Sequence, residues 1–117
     1  MSDNKTENFK VQVDRFADIE ILRYQVPGFE NLNLRQKKFV YYLSKAALSG
    51  RDIIYDQNYK HKLTIRKIIN NIVTAYTRNK KSKAWTQFMD YAKRVWFSNG
   101  IHHHYSTLKI LPDFDRS

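Results

Sequence analysis

The sequence predicts an all-α fold of about four packed helices with an extended C-terminal tail, and three observations carry that expectation. Apolar residues recur at spacings of three and four along most of the chain, the period of a helix with one buried face. A capping-box signature, Asn33-Leu34-Arg35-Gln36, stands at the head of a long apolar stripe. The breakers Pro27-Gly28 and Asn99-Gly100 fall where stripes stop.

Residues 1–14 are polar and charged, with Phe9, Val11 and Val13 as the apolar anchors, and read as a flexible lead-in. The folded segment is expected to span 15–117. Phe16, Ile19, Leu22 and Arg23 fit a short first helix that stops near Gln25, ahead of Pro27-Gly28.

The second helix starts at the capping box, where the Asn33 and Gln36 side chains can satisfy two orphan amides reciprocally. Its stripe runs through Phe39, Val40, Leu43, Ala46, Ala47, Gly50 and Ile54. The small residues at 46, 47 and 50 predict that another helix crosses closely there. Leu63, Ile65, Ile68, Ile69, Ile72, Val73 and Tyr76 mark a third helix, with a strand as the weaker alternative because β-branched residues lower helix propensity.

Trp85, Phe88, Met89, Ala92, Val95 and Trp96 trace the cleanest stripe, a fourth helix capped by Ser82. Asn99-Gly100 ends it, since glycine tolerates the left-handed closing conformation. From Ile101 the chain reads as irregular or extended, and Asp113 to Ser117 close no obvious element.

The 117 residues suit one domain, and 42% hydrophobic with 15% aromatic content is enough to build a core. The absence of cysteine excludes disulfides, thiolate zinc sites and a cysteine nucleophile within this sequence. No apolar run approaches the roughly 18 residues of a membrane span, and the first residues lack a signal-peptide core. A cytoplasmic location without membrane partners is therefore expected.

A net charge of +10 raises nucleic acid, an anionic membrane or an acidic partner chain. Lys60, Lys62, Arg66, Lys67, Arg78, Lys80, Lys81, Lys83, Lys93 and Arg94 are opposed in that interval by Asp90 alone. The aromatics, however, fall on core stripes and not on an exposed stacking platform, so nucleic acid is not the expected partner. A small basic helical module that binds nucleic acid or another protein stands as the alternative reading.

His102, His103 and His104 follow the helix end directly, and imidazole titrates near neutrality. In an extended segment His102 and His104 share a face and His103 does not, so at most two converge locally. Zinc needs three or four ligands, and no H-E-x-x-H arrangement or nearby carboxylate set completes one, so no metal ligand is assigned. Two readings stay open: the loop His102, His103, His104 and Tyr105 contacts a peptide-like or anionic substrate, or the histidines fix the turn by bonding backbone groups. No G-x-S-x-G elbow or glycine-rich phosphate loop is present; Asp52 and Asp56, four apart beside Arg51, read as surface charge. No catalytic residue is assigned.

Several segments in register resemble one family: Phe16-Ala17-Asp18, L-R-Y-Q-V-P-G-F from Leu22, Y-Y-L-S-K-A-A from Tyr41, Gly50-Arg51-Asp52, Asp56-Gln57-Asn58 and R-V-W-F-S-N-G-I-H-H-H-Y-S from Arg94. Together, over residues 16–112, they resemble the N-terminal region of bacterial dipeptidyl peptidase III. The His triplet belongs to the bacterial branch of that family.

The resemblance implies a two-lobed zinc exopeptidase that removes dipeptides from peptide N-termini. Its zinc ligands and glutamate base would come from an H-E-x-x-G-H helix and a motif resembling E-E-x-R-A-[DE]. Neither occurs in these 117 residues. The resemblance thus implies a non-catalytic segment of a larger, mostly helical lobe, with zinc bound elsewhere in the full-length enzyme and not by this chain. Its partners would be the remaining lobe and catalytic domain, with peptide as the substrate of the whole.

Overall fold

The computed structural model describes residues 9–114. The chain order is β1 (Gln12–Phe16), β2 (Ile19–Leu22), a 3-10 turn (Phe29–Asn31), α1 (Leu34–Ser49), α2 (Arg51–Asp56), α3 (Lys62–Ala75) and α4 (Lys83–Ser98). The fold is mostly helical but carries a two-stranded antiparallel sheet, so the all-α expectation holds in part.

The first predicted helix is instead a β-hairpin. Phe16 pairs with Ile19, Arg15 with Glu20 and Gln12 with Leu22, with a register shift between Gln12 and Asp14. The spacing of Phe16, Ile19 and Leu22 matched a helix, yet Phe16 is buried, Ile19 and Ile21 are half-buried, and Glu20 and Leu22 are exposed. That alternation is the strand period across Ile19–Leu22. Ala17 takes the positive φ of 49° at the turn, a place where glycine would have signalled a hairpin. Gln12, Val13 and Asp14, expected in the lead-in, lie in β1, where Gln12 and Asp14 are paired and Val13 sits at the register shift; residues 1–8 lie outside the described residues.

The hairpin docks on α4 through charge and one aromatic ring. Lys93 donates to Asp14 at 2.9 Å and lies over the Phe16 ring, while Arg94 pairs with Asp18 at 2.9 Å. The Lys93 hydrogen bond holds the Asp14 carboxyl below its ordinary pKa. The Pro27-Gly28 turn forms as expected: the Phe29 amide donates to Val26 oxygen at 3.2 Å with Gly28 at φ 87°.

The capping box is present in full. The Gln36 amide donates to Asn33 Oδ1 at 2.9 Å, and the Asn33 amide donates to Gln36 Oε1 at 3.0 Å. Gly50, in right-handed geometry, separates α1 from α2, so the single helix expected over 33–54 is two.

No residue of α1 is buried. Phe39 (64% exposed), Leu43 (53%) and Leu48 (58%) face outward, so the helix expected to cross at Ala46, Ala47 and Gly50 is absent among the described residues. A Cβ at Gly50 would meet only the carbonyl of Ala47, at 3.6 Å. The chain is accordingly elongated, 63 Å in its longest dimension.

The core lies between α2, α3, α4 and the start of the tail. Tyr55, Ile69, Ala92, Val95 and Ile101 are buried together, with Leu63, Val73, Phe88 and Trp96 packed around them. The third and fourth predicted helices form on their stripes. Tyr76 and Trp85 stack at 4.2 Å across the α3–α4 turn, and the Trp96 indole N–H donates to Asn70 Oδ1 at 3.0 Å. The tail returns along α4, where Gln87 donates to the Asp113 carbonyl at 3.0 Å and Phe114 meets Phe88 and Tyr91 edge-on. No described helix is long and apolar enough to cross a membrane.

Candidate functional site

The histidine loop is built by the way α4 stops. Asn99, not Gly100, takes the left-handed conformation (φ 53°, ψ 39°). The Asn99 amide donates to Trp96 oxygen at 3.3 Å and the Gly100 amide to Val95 oxygen at 2.9 Å, a double closure of the last turn. Gly100 follows at φ 150°, and a Cβ there would sit 2.5 Å from Lys62 Cδ. Conformation favours glycine at this position, and any side chain there would also displace Lys62.

Beyond Gly100 the tail folds on itself as a narrow antiparallel loop. The Ile110 amide donates to Ile101 oxygen and the His103 amide to Leu108 oxygen, both at 2.8 Å, and His102 bridges Lys109. Ser106 closes the tip, its amide donating to His103 oxygen at 3.2 Å.

Within this loop the histidines divide differently from the extended-strand expectation. His103 and His104 stack on each other at 4.3 Å, and His104 continues to Tyr105 at 4.2 Å. Phe97 of α4 supports His104 edge-on at 5.1 Å. The loop turns at His103, which breaks strand alternation; the Tyr105 amide donates to His103 Nδ1 at 3.2 Å. His102 points inward, and its buried Nδ1 has no hydrogen-bond partner. His103, His104 and Tyr105 therefore present one outward aromatic ladder, with Tyr105 88% exposed, while His102 stands behind it.

The described residues do not fit a zinc ion. No three His, Asp or Glu side chains among them lie close enough to hold a metal, and His61 is engaged edge-on with Tyr59 on the approach to α3. No chemical step is assigned to a metal on this chain. What the loop offers is imidazole donors and acceptors beside an exposed phenol, a surface suited to peptide-like groups.

The basic residues are less available than their number suggests. Lys62 is buried against Gly100, and burial lowers its pKa. Arg66 pairs with Asp52, Lys93 with Asp14 and Arg94 with Asp18. The counter-charges come from the hairpin and α2, distant in sequence, so the charge tally along residues 60–94 missed them. Asp52 is thus an inter-helix partner of Arg66 and not merely surface charge.

The sequence reading also missed a polar cleft of about 430 Å³ lined by Arg51, Tyr55, Arg66, Asn70, Trp96 and Asn99. Its signal was present as pairs spaced four apart on α2 and α3.

Compared with protein-family models and with curated proteins, the chain matches none.

Proposed function

We propose that this chain is the N-terminal, non-catalytic segment of a zinc-dependent dipeptidyl peptidase resembling the bacterial dipeptidyl peptidase III branch. The observation that carries the reading is the segment from Arg94 to Ser106. The residues with the strongest resemblance form one connected unit: the end of α4, its Asn99-Gly100 closure and the ladder His103, His104, Tyr105.

The uncovered face of α1 supports the same reading. Phe39, Leu43 and Leu48 stand in solvent on a helix that carries Arg35, Lys37, Lys38 and Lys45 and no acid. Most helical stability in proteins comes from packing an apolar face, so a packing partner such as the remainder of a lobe accounts for it. The role of the segment is to support that lobe and to present the loop to the peptide.

The test replaces His103, His104 and Tyr105 together by alanine in the complete peptidase and measures KM and kcat on a dipeptidyl arylamide. A rise in KM of at least about tenfold with kcat little changed supports peptide contact. Unchanged KM and kcat leave the histidines a packing role only.

A further inference from the structure

We propose that the cleft between α2, α3 and α4 binds the phosphoryl group of a small phosphorylated ligand. This goes beyond the peptidase reading and does not depend on it.

Arg51 and Tyr55 of α2, Arg66 and Asn70 of α3, Trp96 of α4 and Asn99, which closes α4, line this cleft. Residues four apart share a helix face, so α2 and α3 each turn one face toward the same concavity. The cleft lies over the best-packed part of the molecule, since Tyr55 is only 2% exposed and joins the core with Val95 and Ile69. Its floor at Tyr55 is therefore held by buried packing.

Arg66 is held in position before any ligand arrives. Its guanidinium lies 4.9 Å from the centre of the Tyr55 ring and pairs with Asp52. Arg51 has no carboxylate partner among the described residues. Two guanidiniums against one carboxylate leave one positive charge uncompensated in the cleft. Both guanidiniums act on the Tyr55 hydroxyl, although burial dominates and raises its pKa.

The hydrogen-bond inventory favours a phosphoryl group over a carboxylate. Trp96 occupies the Asn70 side-chain oxygen, which fixes the amide and leaves its NH2 group as a donor. With the Arg51 fork, the free edge of Arg66 and the side-chain NH2 of Asn99, donors outnumber the acceptor sites of one carboxylate. A phosphoryl dianion has three acceptor oxygens and matches the guanidinium fork bidentately. The cleft, at about 430 Å³, is far larger than a phosphoryl group and leaves room for an attached organic moiety.

The experiment titrates the full 117-residue chain with phenyl phosphate, inorganic phosphate and acetate at constant ionic strength, following the indole N–H signals of Trp96 and Trp85 by NMR. Saturable movement of the Trp96 signal with both phosphates, and at least about tenfold weaker with acetate, is expected. Phenyl phosphate binding tighter than inorganic phosphate identifies an organic phosphate as the ligand; equal affinity identifies free phosphate.

Arg51→Gln, a change at an exposed side chain, should weaken binding about tenfold, and Asp52→Asn should tighten it by releasing Arg66. A merely structural role for the arginines predicts no such opposite pair of effects. The proposal is overturned by a Trp96 signal that does not saturate or by equal binding of acetate. It is likewise overturned if Lys80→Gln with Lys81→Gln weakens binding as much as Arg51→Gln, which would mean diffuse charge attraction.

Discussion

Trp96 on α4 donates its indole N–H to the side-chain oxygen of Asn70 on α3 at 3.0 Å, the one hydrogen bond between side chains of these two helices among the described residues. It ties the helix that carries the histidine loop to the helix that carries Arg66. Trp96→Phe keeps most of the ring packing and removes the bond. A loss of about 1 kcal/mol in unfolding free energy is expected from urea denaturation, since Asn70 is exposed and water replaces the lost donor.

Gly100→Ala should destabilise the chain by about 1–3 kcal/mol, because a positive φ of 150° is costly for any side chain. The Lys62 side chain can swing away from a new methyl group, but the backbone cannot change φ without opening the closure at Val95 and Trp96. Adding Lys62→Ala to Gly100→Ala should therefore restore only part of the loss in thermal unfolding.

Asn33→Ala removes half of the capping box that starts α1 and should cost about 1 kcal/mol of local helix stability. Because α1 buries nothing in this chain, the effect should stay local. Amide hydrogen exchange should accelerate across the first turns of α1 while Ile69 and Val95 keep their protection.

The same two facts about α1 show where the sequence was legible and where it was not. The cap was readable because its chemistry is local: Asn33 and Gln36 satisfy each other's amides whatever the rest of the chain does. The partner of the apolar face was not readable, since the stripe says that Phe39, Leu43 and Leu48 suit burial and not what would bury them. The stripes of α3 and α4 were legible for the opposite reason, as each helix is the other's partner.

The hairpin mimics a helix in sequence because Phe16, Ile19 and Leu22 satisfy a spacing of three, and Ala17 at positive φ supplies no glycine signal. The histidine loop could be located from the Gly100 stop, but the turn at His103 depends on its bond to the Leu108 oxygen and on the bond it accepts from the Ser106 amide, which spacing does not encode. The ion pairs of Arg66, Lys93 and Arg94 required the tertiary fold.

Burial of Lys62 yields a pH prediction with a defined sign. Burial lowers its pKa below the ordinary 10.5, so between the lowered value and 10.5 the unfolded chain holds a proton that the folded chain has released. Stability therefore rises with pH across that window, and the cost of burying the charge is fully present below it. Tyr55 and Tyr91, raised by burial from 10.0, act oppositely: above that value the unfolded chain ionises first and stability falls. In urea titrations from neutral pH toward 10, Lys62→Met should be more stable than the parent at neutral pH and should lose the upward slope.

The central proposal is that this chain is a segment of a zinc dipeptidyl peptidase that supports its lobe without supplying the metal site. It is tested most directly by assaying the product of the whole reading frame on a dipeptidyl arylamide before and after zinc chelation. The account predicts release of the intact dipeptide, lost on chelation and restored by added zinc. A complete gene product that releases no dipeptide with zinc present, or one whose activity survives chelation, contradicts it.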